Sequence, residues 1–166
     1  MSDIRTRLND MGLTLPAAPR PVASYVPAVR VGQLIFVSGQ IPLADGALQA
    51  TGLVPSEVPL PDAQAAARLC VLNGLAVIAE ELGGDLERIH RIVRLGVFVA
   101  SAPGFTDQPK VANGASDLLV ELLGERGRHA RAAVGSIALP LGAPVEVEMV
   151  VQVDGDSSGS SPNVAF

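Results

Sequence analysis

The sequence predicts an α+β domain in which one sheet carries two long helices on a single face. Three observations support this. From Val145 to Val153 the apolar residues Val145, Val147, Met149, Val151 and Val153 take every other position, with Glu146, Glu148 and Gln152 between them and Val150 as the one apolar exception. That period of two marks a strand with one face on a core. Two other stretches, Asp62 to about Leu82 and Asp107 to about Leu123, space their apolar residues helically and run into glycines. The chain order, two strands, a helix, a strand, a helix and two more strands, is that of an α+β sheet. At 166 residues, with 48% hydrophobic and 17% charged, the chain has the size and content of one packed domain. Aromatic residues at 3% leave the core to Val, Leu, Ile and Ala.

Taken in order, Ser2 is the expected cap of a short helix ending near Asp10, with Gly12 as its stop. Leu15 to Pro21 is proline-rich and extended, so residues 1–21 read as an extension ahead of a domain over 22–153. Val22 to Arg30 reads as a first strand, Gly32 as a turn and Leu34 to Ser38 as a second strand. Gly39, in Ser38-Gly39-Gln40, lets another backbone or a ligand come close. Asp45-Gly46 signals a turn, and Leu48 to Pro61 reads as loop. In the first long helix Ala65, Leu69, Leu72, Ala76 and Ala79 form the expected stripe, Cys70 is a small buried side chain, and Gly83-Gly84 ends the helix.

Arg88 to Ala100 reads as a long strand, with Ile89, Arg91, Val93, Leu95, Val97 and Val99 on one face. The second long helix shows Val111, Ala115, Leu118 and Leu122 on its stripe and Pro109 in its first turn. Arg131 to Leu139 is the next strand. Pro140, Gly142 and Pro144 separate it from the last one, and the two read as antiparallel neighbours. Residues 154–166 have the composition of a disordered tail.

A net charge of -5 and a pI near 4.9 provide no overall positive field for a phosphate backbone, so nucleic acid is a poor match. The basic run Arg126, Arg128, His129, Arg131 hints at RNA, but the acidic total and the scarcity of stacking aromatics argue against it. One cysteine cannot form an internal disulfide, and no apolar run approaches the roughly 20 residues of a bilayer span. These features read as a cytoplasmic protein without a membrane segment. Glu146 and Glu148 share a face and repel unless water or a cation is near, and Arg131 is the expected cation. Such a polar row on an uncovered sheet face suggests an intersubunit surface, with Arg131 and Glu146 in the clefts of a small homo-oligomer. Glu148 reads equally as a structural partner of a basic residue. His90 and His129 read as strand-face and helix-exit residues, and Tyr25 alone as a packed rim residue.

Three anchors then carry a resemblance. They are Ser24-Tyr25-Val26; Val37-Ser38-Gly39-Gln40-Ile41-Pro42; and Ala130-Arg131-Ala132-Ala133-Val134 followed by Leu139-Pro140 and Val145-Glu146-Val147-Glu148. Together they resemble the RidA family, also called YjgF and once labelled L-PSP endoribonucleases, over about Val22 to Val153. The resemblance implies a chorismate-mutase-like fold, a homotrimer, and sites between subunits. It also implies hydrolytic deamination of reactive 2-imino or enamine carboxylic acids to 2-keto acids and ammonia, with no metal or organic cofactor. By position, Arg131 resembles the residue that holds the substrate carboxylate and Glu146 the one that orients or deprotonates water. Tyr25, Ser38, Gly39, Asn113 and Ala133 match positions around the ligand. Ala133 stands where many members have cysteine, which removes any thiol scheme there. The N-terminal extension and the long 49–61 connection resemble a less-studied subgroup. A non-catalytic, carboxylate-binding trimer with a regulatory role, or an endoribonuclease, are the other readings.

Overall fold

The computed structural model describes residues 3–18 and 24–155. A short helix α1 (Ile4–Asp10) precedes strands β1 (Ala28–Val31) and β2 (Leu34–Gln40) and the small strands β3 (Leu43–Ala44) and β4 (Ala47–Leu48). Helix α2 (Leu60–Glu81), strand β5 (Ile89–Ala100), helix α3 (Gln108–Leu123) and strands β6 (Ala130–Ser136) and β7 (Val145–Val153) follow. The main sheet has the order β1-β2-β7-β5-β6. Only β5 and β6 are parallel within it; the other pairs are antiparallel. Asp45 and Gly46 turn β3 into β4 with φ of 52° and 77°, the left-handed pair that a tight hairpin needs.

The expected pairing of the arginine strand with the acidic strand is wrong, because β5 lies between them. β6 follows β5 through α3, and a helical crossover returns a chain parallel to the strand it left. The segment from Ile137 to Pro144 then carries the chain past the end of β5 to its other side, where β7 fills the gap beside β2.

Both long helices lie on one face, as expected, with α2 over β2 and β7 and α3 over β5 and β6. Val111, Ala115, Leu118 and Leu122 are buried as the α3 stripe predicts. Helix α2 starts at Leu60, ahead of the expected Asp62, with Pro61 in its first turn where no N–H is needed. Of its expected stripe, Leu72, Ala76 and Ala79 are buried, but Ala65 is exposed and Leu69 half-buried, and burial covers every residue from Val71 to Ala79 rather than one face. The helix is long and apolar enough to cross a membrane, but 72% of that window is buried inside the fold, which makes it a core helix here. Gly114 sets the helix crossing. A Cβ there would lie 2.8 Å from the carbonyl carbon of Gln64, so α3 approaches α2 this closely only with glycine at that position.

Two strands also depart from expectation. β1 begins at Ala28 and not at Val22; Val22 and Ala23 lie outside the described residues, and Pro27, without an N–H, closes a bend from Ser24. In β5, bulges between Ile89 and Arg91 and between Ile92 and Arg94 break the alternation. Ile92 therefore joins Ile89, Leu95, Val97 and Val99 in the core, while Arg91 and Val93 turn outward.

Helix α1 is packed on this core through Ile4 and Leu8, both fully buried. Its cap is the Asp3 carboxylate, which accepts from the Thr6 N–H at 2.6 Å; Ser2, the expected cap, lies outside the described residues. Arg7 Nη1 donates to the Leu122 carbonyl at 2.6 Å, placing a cation on the last turn of α3. The opposite face of the sheet has no covering element among the described residues. Val29, Phe36 and Val134 lie on it at 50%, 45% and 46% exposure.

Candidate functional site

Arg131 sits in the edge strand β6 in register with Leu95, whose side chain is fully buried under the helices. The arginine therefore points to the helix side. There α3 presents Pro109, Asn113 and Ser116 at i, i+4 and i+7, one stripe of a helix. Arg131 Nη1 donates to Asn113 Oδ1 at 3.0 Å and to Ser116 Oγ at 3.0 Å, and Nη2 donates to the Pro109 carbonyl at 3.3 Å. Of the five guanidinium N–H groups, Nε–H and one on Nη2 have no partner among the described residues. Nε and Nη2 share the edge with which an arginine takes a carboxylate side-on. Arg131 makes no salt bridge among the described residues, since all three acceptors are neutral. Ala133, two residues on and in register with the buried Val97, packs on the same side.

Glu146 lies on β7 between Val145 and Val147, both fully buried, so its side chain projects from the uncovered face. It is half-buried, and its carboxyl is raised above the usual 4.5 first by burial and then by the charge of Glu148. The expected cation for this pair is corrected as well. Arg94, on the neighbouring β5, bonds Glu148 at 2.8 Å, while Arg131 faces away. Glu148 is thus the structural partner, and Glu146 has no ion pair among the described residues.

The strand β2 bulges between Val37 and Gln40, where its pairing with β7 shifts register. Gly39 lies in that bulge against Glu146: a Cβ at Gly39 would come within 2.7 Å of the Glu146 carboxyl carbon. Ser38 Oγ donates to the Val26 carbonyl at 2.8 Å and Ser38 N to the Pro27 carbonyl at 2.9 Å. Those bonds draw the Ser24–Pro27 bend, with Tyr25 at 48% exposure, to the bulge. From below, Gln40 Nε2 bonds the Ser38 carbonyl, and buried Asn73 of α2 bonds the carbonyls of Ile41 and Leu43, each at 3.0 Å.

The structure therefore sorts the expected residues into two groups. Ser38, Gly39 and Glu146, with the Tyr25 bend beside them, form one; Asn113, Arg131 and Ala133 form the other. Arg131 and Glu146 lie two strands apart, about 10 Å at the spacing of strands in a sheet, and on opposite faces. They share no hollow within one protomer. Sequence reasoning missed Ser116, Arg94 and the role of His129, whose Nε2 lies 2.9 Å from Ser116 Oγ and whose Nδ1 lies 2.6 Å from the Gly127 carbonyl. The stripe of Pro109, Asn113 and Ser116 was the signal that could have revealed the first. Among the described residues no cluster of His, Cys, Asp and Glu is arranged to hold a metal.

A family model described as "YjgF/chorismate mutase-like, putative endoribonuclease" matches residues 5–152. Protein TCP17 of Trypanosoma cruzi is 45% identical over 91% of this chain and 94% of its own length. A 2-iminobutanoate/2-iminopropanoate deaminase of Dermatophagoides farinae is 27% identical over 86% of this chain and 95% of its own. A crystal structure of a protein of unknown function from Agrobacterium tumefaciens superposes with a TM-score of 0.86 at 48% identity, covering 91% of this chain and 92% of that one. With its mixed sheet, its two helices on one face and a family match across almost all of its length, the chain belongs to the YjgF/RidA family.

Proposed function

We propose that this protein hydrolyses small 2-imino carboxylic acids to 2-keto acids and ammonia without a cofactor, in sites completed between copies of the chain. The observation that carries this is the guanidinium of Arg131, fixed by three neutral acceptors on α3 while Nε–H and one N–H of Nη2 stay without a partner among the described residues. A carboxylate meeting that edge forms two parallel, charge-assisted hydrogen bonds and is held in one plane. A relative named for 2-iminobutanoate and 2-iminopropanoate deamination fits the same substrate class.

The chemistry then needs one positioned water. Glu146, a carboxylate with its pKa pushed up, takes a proton from water as the oxygen bonds to the iminium carbon. That proton then passes to nitrogen. The resulting carbinolamine loses ammonia as Glu146, again a carboxylate, takes up the hydroxyl proton, so that the C–O bond becomes the keto group and the proton ends on the released ammonia as ammonium. Water adds across C=N and ammonia leaves, so the reaction balances without oxidant or metal. The iminium carbon is already electrophilic, and holding the carboxylate beside the water supplies much of the acceleration.

Arg131 and Glu146 can serve one substrate only if two copies contribute. An uncovered sheet face with exposed Val29, Phe36 and Val134 beside the Glu146 group is the surface through which copies associate. Each copy has one group to offer on either side, which is a head-to-tail arrangement, and such contacts close into a ring when the rotation between copies closes on itself. The ring expected here is a trimer, with Arg131, Asn113 and Ala133 of one copy facing Tyr25, Ser38, Gly39 and Glu146 of the next.

The test is direct. Enzymatically generated 2-iminopropanoate should disappear faster with protein than without. Equal rates, together with saturable binding of pyruvate, would replace this reading with a non-catalytic carboxylate-binding role. Cleavage of RNA in place of either outcome would favour the endoribonuclease reading.

A further inference from the structure

Arg131 is held by a relay that the proposed reaction does not itself require. His129 Nδ1 lies 2.6 Å from the Gly127 carbonyl, which can only accept, so Nδ1 carries the proton. Burial is the main influence keeping the ring neutral, since it lowers the pKa of His129; the Gly127 bond opposes this, and the charge of Arg131 adds to it. The neutral Nε2 is then an acceptor, and the Ser116 hydroxyl 2.9 Å away donates to it. With its hydrogen committed to His129, Ser116 Oγ presents lone pairs to Arg131 Nη1 at 3.0 Å. The ring is thus bracketed on α3 by neutral Ser116, on the turn before β6 by the Gly127 carbonyl, and on β6 by Arg131. Nearby charges are engaged elsewhere: Arg128 with Glu125 at 2.9 Å, and Arg126 with the Ile89 carbonyl and Glu87.

We infer that Ser116 and His129 are positioning residues, which fix the plane of the Arg131 guanidinium so that its Nε/Nη2 edge meets a substrate carboxylate. The inference rests on the carboxylate-binding role of Arg131 proposed above. An arginine side chain has many rotamers, and anchoring its far nitrogen reduces the ordering that ligand binding must otherwise supply. The relay acts on the grip and not on the water, so its loss falls on KM and keto-acid affinity far more than on kcat. Chemistry dictates which replacements succeed. Threonine at 116 retains the hydroxyl, and glutamine at 129 can offer an acceptor near the place of Nε2, whereas alanine and phenylalanine cannot.

The experiment measures pyruvate affinity by calorimetry and imine turnover for Ser116→Ala, Ser116→Thr, His129→Phe and His129→Gln, each with a thermal melt. Ser116→Ala and His129→Phe should weaken pyruvate binding and raise KM about tenfold, with kcat changed less than about threefold; Ser116→Thr and His129→Gln should stay near wild type. In an Arg131→Ala background, Ser116→Ala should have no further effect on affinity, because the relay has nothing left to hold. Wild-type affinity in a folded Ser116→Ala protein overturns the inference and leaves the function standing. Equal loss in the threonine and alanine variants, or full additivity with Arg131→Ala, overturns it too. A wild-type protein that neither binds pyruvate nor consumes the imine removes both readings together.

Discussion

Gly39→Ala isolates the position of Glu146 from its chemistry. Gly39 does not use the left-handed backbone region, so alanine is allowed there by φ, yet its methyl would sit 2.7 Å from the Glu146 carboxyl carbon and 3.0 Å from Cγ. Glu146 Oε1 lies closer still, and carbon atoms rest at about 3.5–4.0 Å, so the carboxyl must retreat by at least about 1 Å. The atoms that meet the methyl are the end of a flexible, half-exposed side chain, which can rotate aside, and alanine also narrows the unfolded ensemble. Global stability should therefore shift by less than about 1 kcal/mol. Catalysis is less forgiving, because a misplacement of about 1 Å costs on the order of a hundredfold, or about 2.7 kcal/mol of barrier. The assay is the rate of 2-iminopropanoate hydrolysis beside a thermal melt of the same preparation. A folded Gly39→Ala protein hydrolysing within about twofold of the wild-type rate would refute the reasoning, since that carboxylate would then do nothing that depends on its place.

Other expectations follow from the same geometry. Glu146 works as a base only when ionised, and burial and then Glu148 raise its pKa above 4.5, so kcat/KM should fall as pH drops through a midpoint above that value. Glu148→Gln should move this acidic limb toward lower pH. The same shift means that the folded state binds the Glu146 proton more tightly than the unfolded chain, so its contribution to stability is full below the unfolded pKa and is lost as pH rises through the folded pKa. Glu146→Gln should accordingly be neutral or stabilising at pH 7 in a thermal melt while lowering kcat by about 10²–10⁴. Arg131→Lys keeps the charge but loses the planar fork, and should weaken pyruvate binding about tenfold or more by calorimetry. Leu8 is 2% exposed against the core, and Leu8→Ala should lower unfolding free energy in urea by about 2–5 kcal/mol while leaving the turnover of the folded fraction unchanged.

Much of this arrangement could be read from residue order. The alternation of β7 and the stripe of α3 were legible because each element has one wet and one dry face, and burial follows the period. Helix α2 was legible in extent but not in facing, because a helix enclosed along Val71 to Ala79 has no polar side to mark its orientation. The bulges of β5 left no local signature, so Ile92 was assigned to the wrong face. The largest error, pairing β6 with β7, came from treating neighbours in sequence as neighbours in space. A parallel crossover through α3 overrides that rule, and with it the contact expected between Arg131 and the two glutamates. Individual site residues were identified through the motifs, but their division between two faces depends on register, which no motif encodes.

That division provides the most direct measurement of the central claim. Arg131→Ala and Glu146→Gln proteins, each inactive alone, can be unfolded together in equal amounts and refolded as mixed assemblies. If each site takes its arginine from one copy and its glutamate from the next, random assortment around a closed ring restores about a quarter of the sites. Activity returning to about that level is the predicted result. Mixed assemblies, confirmed by mass spectrometry, that remain as inactive as either parent would contradict it.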